Sequence, residues 1–164
     1  MFKSLLAALS APEPDPLNTD DCELALAALL VRLARADEAY TEEERERIGR
    51  VLVGRGFSAE DARALRKDAE ELEAQAPDTV RFTRALKEKV PYGDRASILE
   101  ALWEVALADG ERDADEDALI RLTSKLLGIT DVDSALARQR VEERHAALSE
   151  NAPSTGQTKG PWGA

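Results

Sequence analysis

Apolar positions recur at helical spacing along nearly the whole chain. Phe2, Leu5, Leu6 and Leu9 follow an i, i+3, i+4, i+7 rule and predict a short amphipathic helix within residues 1–10. Pro12, Pro14 and Pro16 then forbid helix, so an extended linker leads to residue 19. A well-buried helix is expected over 20–36, with Leu26, Leu29, Leu30 and Leu33 as one stripe widened by Leu24 and Ala27. A second should run from Glu42 to Val53 and end at Gly54 and Gly56. Ser58 caps a third, reaching Gln75, whose sparse stripe is Ala62, Leu65, Ala69 and Leu72. Pro77 and Asp78 open a fourth, carrying Val80, Phe82 and Leu86 and closed by Pro91 and Gly93. A fifth, Asp94 to Ala108, sets Leu99, Leu102, Trp103 and Ala106 on one face. Asp113 begins a sixth, with the stripe Leu119, Leu122, Leu126 and a stop at Gly128. The last starts at Asp131 or Asp133 and runs to Leu148.

No run reads as a strand. The expected fold is therefore all-α: seven to eight helices around one core, occupying residues 20–148. From Ser149 onward the chain has turn residues without periodicity, which reads as a disordered tail over 149–164 with Trp162 exposed in it.

Shifting the sequence by 72 positions lays LLVRLARADEAYTEEERERI (29–48) over ALWEVALADGERDADEDALI (101–120). Ala36-Asp37 then meets Ala108-Asp109, Glu44 meets Glu116, Ile48 meets Ile120 and Gly56 meets Gly128. Each copy reads as a buried helix, a tight acidic turn and a capped second helix. Thr41 with Glu44 has the form of a capping box, and Asp113 with Glu116 is a close variant, so capping is the favoured reading of Glu44 and Glu116. Asp37 and Asp109 are harder to explain that way. Each follows an apolar helix, where the dipole disfavours an anion. Hard divalent cations take oxygen ligands, which a short acidic loop supplies together. Asp37, Glu44, Asp109 and Glu116 are therefore the candidate metal ligands, for Ca²⁺, Mg²⁺ or Mn²⁺. The second loop has acids at relative positions 1, 3 and 5, at Asp109, Glu111 and Asp113, but Ile120 stands where an EF-hand needs a bidentate Glu. An EF-hand is excluded.

Charge narrows the partners. With 22 basic and 33 acidic residues the formal net charge is −11, which repels phosphate backbones and argues against nucleic acid. Arg and Glu alternate, as in Glu43/Arg47 and Glu46/Arg50, giving a helix face laced with ion pairs. No segment reaches the roughly 20 apolar residues of a membrane helix, although peripheral membrane association through 1–10 stays open. A cytoplasmic location is expected. Cys22 is the one cysteine, so neither an intrachain disulfide nor a thiolate metal cage can form, and its apolar surroundings predict a buried, inert thiol. His145 is the one histidine and lies in a charged run, expected on the surface. No Gly-rich phosphate loop, zinc motif or nucleophile elbow is present, and one thiol cannot support dithiol redox chemistry. The expectation is not an enzyme.

The repeat, together with RFTRALKE and ILEALWEVALADG, also resembles the TerB-like tellurite-resistance family over about residues 20–148. The resemblance implies an all-helical fold found in tellurite-resistance and stress-response proteins, related to a domain of membrane-anchored J-domain co-chaperones. It also implies metal chelation at Asp37, Glu44, Asp109 and Glu116. The first turn departs from the second in carrying Glu38 where the second has Gly110. Two functions follow: an acidic protein-interaction module tuned by divalent cations, ranked first, or a dedicated metal-binding domain with no stable protein partner.

Overall fold

The computed structural model describes residues 19–36, 39–75, 79–108 and 113–151. The expected N-terminal helix, its proline linker and the tail beyond 151 lie outside them. Seven helices and no strand are found among the described residues: α1 (Thr19–Ala34), α2 (Glu42–Gly54), α3 (Ala59–Gln75), α4 (Thr79–Lys89), α5 (Tyr92–Ala106), α6 (Ala114–Leu126) and α7 (Asp131–Asn151). The all-α expectation holds.

α1 is the centre of the molecule. Its run of Ala and Leu has high helix propensity and is apolar all round, so it can be enclosed on every side. Residues 24–31, 33 and 34 are all buried. It packs most extensively on α3, where the alanines Ala62 and Ala69 leave room for close approach beside Leu72. α2, α4, α5 and α6 complete the shell around it. α5 is the second buried helix, with Ile98, Leu99, Ala101, Leu102, Trp103, Val105 and Ala106 in the core. Leu30 and Leu33 are fully enclosed, and truncating either to Ala would cost about 2–5 kcal/mol by transfer and cavity terms together.

Positions 72 apart share structural roles. Ile48 and Ile120 are both core residues. Gly56 and Gly128 both close helices with positive φ, 108° and 70°, which favours glycine. Beyond them Phe57 N–H donates to Leu52 O at 3.3 Å and Ile129 N–H to Ser124 O at 3.0 Å, the same six-residue closure of a helix end.

Several local expectations need correction. α6 does not bury Leu122, which is 44% exposed; its core face is Ile120, Thr123 and Ser124, continued by Leu127. Those positions form a clean i, i+3, i+4, i+7 set in which Thr123 Oγ1 donates to Leu119 O at 2.8 Å, so the hydroxyl is satisfied inside the core. Gly93 does not close α4; it lies in the first turn of α5, which begins at Tyr92. Thr130, ahead of Asp131, caps α7 by accepting from Asp133 N–H at 3.1 Å. α7 continues three residues past Leu148. Cys22 is only half-buried.

Arg95 ties three of these elements together. Its guanidinium donates to Val90 O at 3.0 Å, Lys87 O at 2.9 Å and Leu127 O at 3.1 Å, satisfying carbonyls at the ends of α4 and α6.

Candidate functional site

The first bend follows α1 directly. Arg35 N–H donates to Val31 O at 3.0 Å and Ala36 N–H to Leu33 O at 3.1 Å, a tightened last turn. Asp37 lies outside the described residues, but the chain on both sides of it is anchored to α3. On the near side Arg35 donates to Glu73 Oε2 at 2.7 Å, while Arg32 donates to Glu73 Oε1 at 3.3 Å and to Thr79 Oγ1 at 3.1 Å. On the far side the Tyr40 ring lies between the guanidinium groups of Arg35 and Arg45, each 4.9 Å from its centroid. Tyr40 Oη donates to Glu70 Oε1 at 2.7 Å, and Arg66 donates to the same oxygen. Burial, and then the hydrogen bond to the Glu70 carboxylate, push the Tyr40 phenol up to about 12. Two carboxylates of α3 thus fix the ends of the bend.

Beyond Tyr40 the capping box is complete. Glu44 N–H donates to Thr41 Oγ1 at 3.3 Å, and Thr41 N–H donates to Glu44 Oε2 at 2.9 Å. Both sides of the box sit in the first turn of α2, where Glu42, Glu43 and Glu44 also suit the helix dipole. One oxygen of Glu44 is therefore committed to capping, and a cation there would share that carboxylate with the amide.

At the second bend Leu107 N–H donates to Trp103 O at 2.9 Å, and Leu107 packs against the core where the first bend has Arg35. Asp109, Gly110 and Glu111 lie outside the described residues. Asp113 caps α6 by accepting from Asp115 N–H at 2.8 Å and Glu116 N–H at 3.0 Å. Among the described residues no three Asp, Glu, His or Cys side chains gather into a group suited to a metal ion. Of the four candidate ligands the structure thus describes Glu44 and Glu116, each in the first turn of a capped helix, on α2 and α6, which both pack on α5.

Sequence reasoning missed the anchors Arg32, Arg35, Tyr40, Glu70 and Glu73. A signal was available: Arg32 interrupts an otherwise apolar helix, and such a charge needs a partner.

A groove of about 630 Å³ opens beside the second bend. Arg47, Arg50 and Val51 of α2 form one wall, Glu104, Leu107 and Ala108 the end nearest the bend, and His145 and Leu148 of α7 the other wall. Leu148 is 69% exposed, an apolar side chain held in solvent at the groove's rim. His145 is half-buried there rather than fully on the surface.

No helix among the described residues is long and apolar enough to cross a membrane. A family model described as "Tellurite resistance protein TerB" matches residues 23–139. No curated protein and no solved structure matches significantly. The matched span takes in both bends, the α3 anchors and the first half of α7. The chain belongs to the TerB family.

Proposed function

We propose that this TerB-family protein is a non-enzymatic, cytoplasmic interaction module of the tellurite-resistance and stress-response type, and that divalent cations at its two acidic bends regulate it. The observation that supports this most directly is the groove beside the second bend. It joins two exposed features of recognition surfaces, an apolar rim at Leu148 and unequal charge along its walls, to the stretch carrying Asp109. Ala108 lines the groove, so a cation bound at the adjoining bend would act on that end of it directly. The bend sequences support the cation: duplicated acids follow apolar helices at the dipole's unfavourable end. Asp37, Glu44, Asp109 and Glu116 would be its ligands, with Ca²⁺, Mg²⁺ or Mn²⁺ the matching hard ions.

The test is calorimetric titration of the full chain with each ion, set beside the Asp37→Asn/Asp109→Asn double variant. The wild-type chain should take up at least one ion, and the double variant should bind it at least roughly tenfold more weakly, the scale of one lost charged ligand. Partner capture from extract of the source cells should change on adding chelator, and Leu148→Asp should abolish capture without altering ion uptake. Ion uptake that survives the double variant would remove the bends from the mechanism. Uptake with no partner lost in Leu148→Asp would favour a dedicated metal-binding domain instead.

A further inference from the structure

Trp103 holds a chemistry that neither bend uses. It is 7% exposed on the core side of α5, and its Nε1–H has no hydrogen-bond acceptor. Buried donors are nearly always satisfied, so an orphan at the edge of a cavity marks a place where an outside acceptor fits. Trp103 forms part of such an edge. A cleft of about 810 Å³ lies between α6 and α7, with Trp103 among its lining residues.

The charges around the cleft decide what it takes. The Arg138 guanidinium lies over the indole, 5.2 Å from the ring centroid, and donates to Glu142 Oε1 at 2.8 Å, so that carboxylate is engaged. Asp117 already has a partner, and Asp131 stands in the first turn of α7, where the helix dipole offsets its charge. Arg121 and Lys125 are exposed on α6, four residues apart, and form no ion pair among the described residues. Apart from Asp131, the ionisable and polar groups of the cleft that lack a partner are donors: one indole N–H, one guanidinium and one ammonium. The three acids on the same walls repel a second negative charge, which favours a singly charged group over a phosphate.

We propose that this cleft binds a carboxylate, presented by a free organic acid or by an acidic side chain of a peptide. Trp103 Nε1–H, Arg121 and Lys125 are its donors. Arg138 covers the ring face and is movable: an i,i+4 pair at the surface is weak, so its side chain turns from Glu142 toward the incoming anion.

The two tryptophans give two indole N–H resonances in a ¹⁵N-labelled full chain, and Trp162→Phe leaves the one from Trp103. Butyrate and a short peptide with a single Glu and blocked termini are titrated separately, with sodium chloride and inorganic phosphate at matched ionic strength. The Trp103 resonance should move downfield and saturate with at least one carboxylate. Arg121→Gln/Lys125→Gln, both at exposed positions, should weaken the apparent affinity roughly tenfold or more, the scale of a charge-assisted hydrogen bond. Saturation by butyrate identifies a free acid as the source; saturation by the peptide alone identifies a protein segment. The proposal is overturned if neither carboxylate moves the resonance, if chloride moves it equally, or if phosphate binds as well as carboxylate.

Discussion

Replacing Tyr40 by Phe isolates the anchor that holds the far side of the first bend. The substitution keeps the ring between Arg35 and Arg45 and removes one hydrogen bond, the 2.7 Å contact from the phenol to Glu70. A hydrogen bond to a charged group contributes about 1.5–3 kcal/mol. This one is half-exposed, and Glu70 keeps Arg66 afterwards, so a loss of about 1–1.5 kcal/mol is expected. The acid–base shift gives a second route to the same figure. Raising the phenol from 10.0 to about 12 corresponds to about 2.7 kcal/mol without screening, and solvent access reduces that to roughly half. The sign is set by the folded-state value lying above the unfolded one. The contribution is complete below about pH 10 and is lost as the pH rises through 10–12, because only the neutral phenol donates. Urea unfolding at about pH 8 should therefore separate the two proteins by the full amount, thermal unfolding by about 2–6 °C in Tm, and the gap should close by about pH 12. Near-ultraviolet titration should show a tyrosine ionisation near pH 12 in the wild type that is missing from Tyr40→Phe. A difference under about 0.3 kcal/mol at pH 8, or one that does not change up to about pH 12, would refute the account of the anchor.

Arg95→Ala removes three carbonyl contacts at once and should lower stability by about 2–3 kcal/mol in urea unfolding, since hydrated carbonyls recover part of the loss. Gly128→Ala forces a side chain onto φ +70° with Lys87 3.5 Å from the new Cβ, and should cost about 1–2 kcal/mol by thermal unfolding. Glu44→Gln separates the two roles of that residue. Gln still completes a capping box, so stability should fall by less than about 1 kcal/mol, whereas cation affinity measured by calorimetry should drop roughly tenfold.

Most helix boundaries were legible because the chain is well punctuated. Ser58 accepts from Asp61 N–H at 3.1 Å where a cap was expected, and Gly56 and Gly128 stop α2 and α6 with the positive φ that glycine permits. The orientation of α6 was not legible. A stripe of leucines drew attention to Leu119, Leu122 and Leu126, while the enclosed face passes through Thr123 and Ser124, whose polarity disguises it. α7 offers even less contrast, since Ala137 and Val141 are its buried residues. The acidic bends could be found from the repeat, and their caps from residue type and spacing. Their α3 anchors could not, because Tyr40 meets Glu70 across 30 residues and Arg35 meets Glu73 across 38. The unpaired indole of Trp103 was equally invisible: residue type names a donor, but only three dimensions reveal whether an acceptor is near.

The shallow seating of α7 has a consequence for how the molecule breathes. Its chief support is α5, through small Ala137 and Val141, whereas α1 is gripped by five neighbours. Amide protons along α7 should therefore exchange by sub-global opening well before those of α1, which need the whole fold to come apart. This same helix borders both the Leu148 groove and the cleft at Trp103. Any displacement of this one rod against α5 would therefore reshape both recesses together.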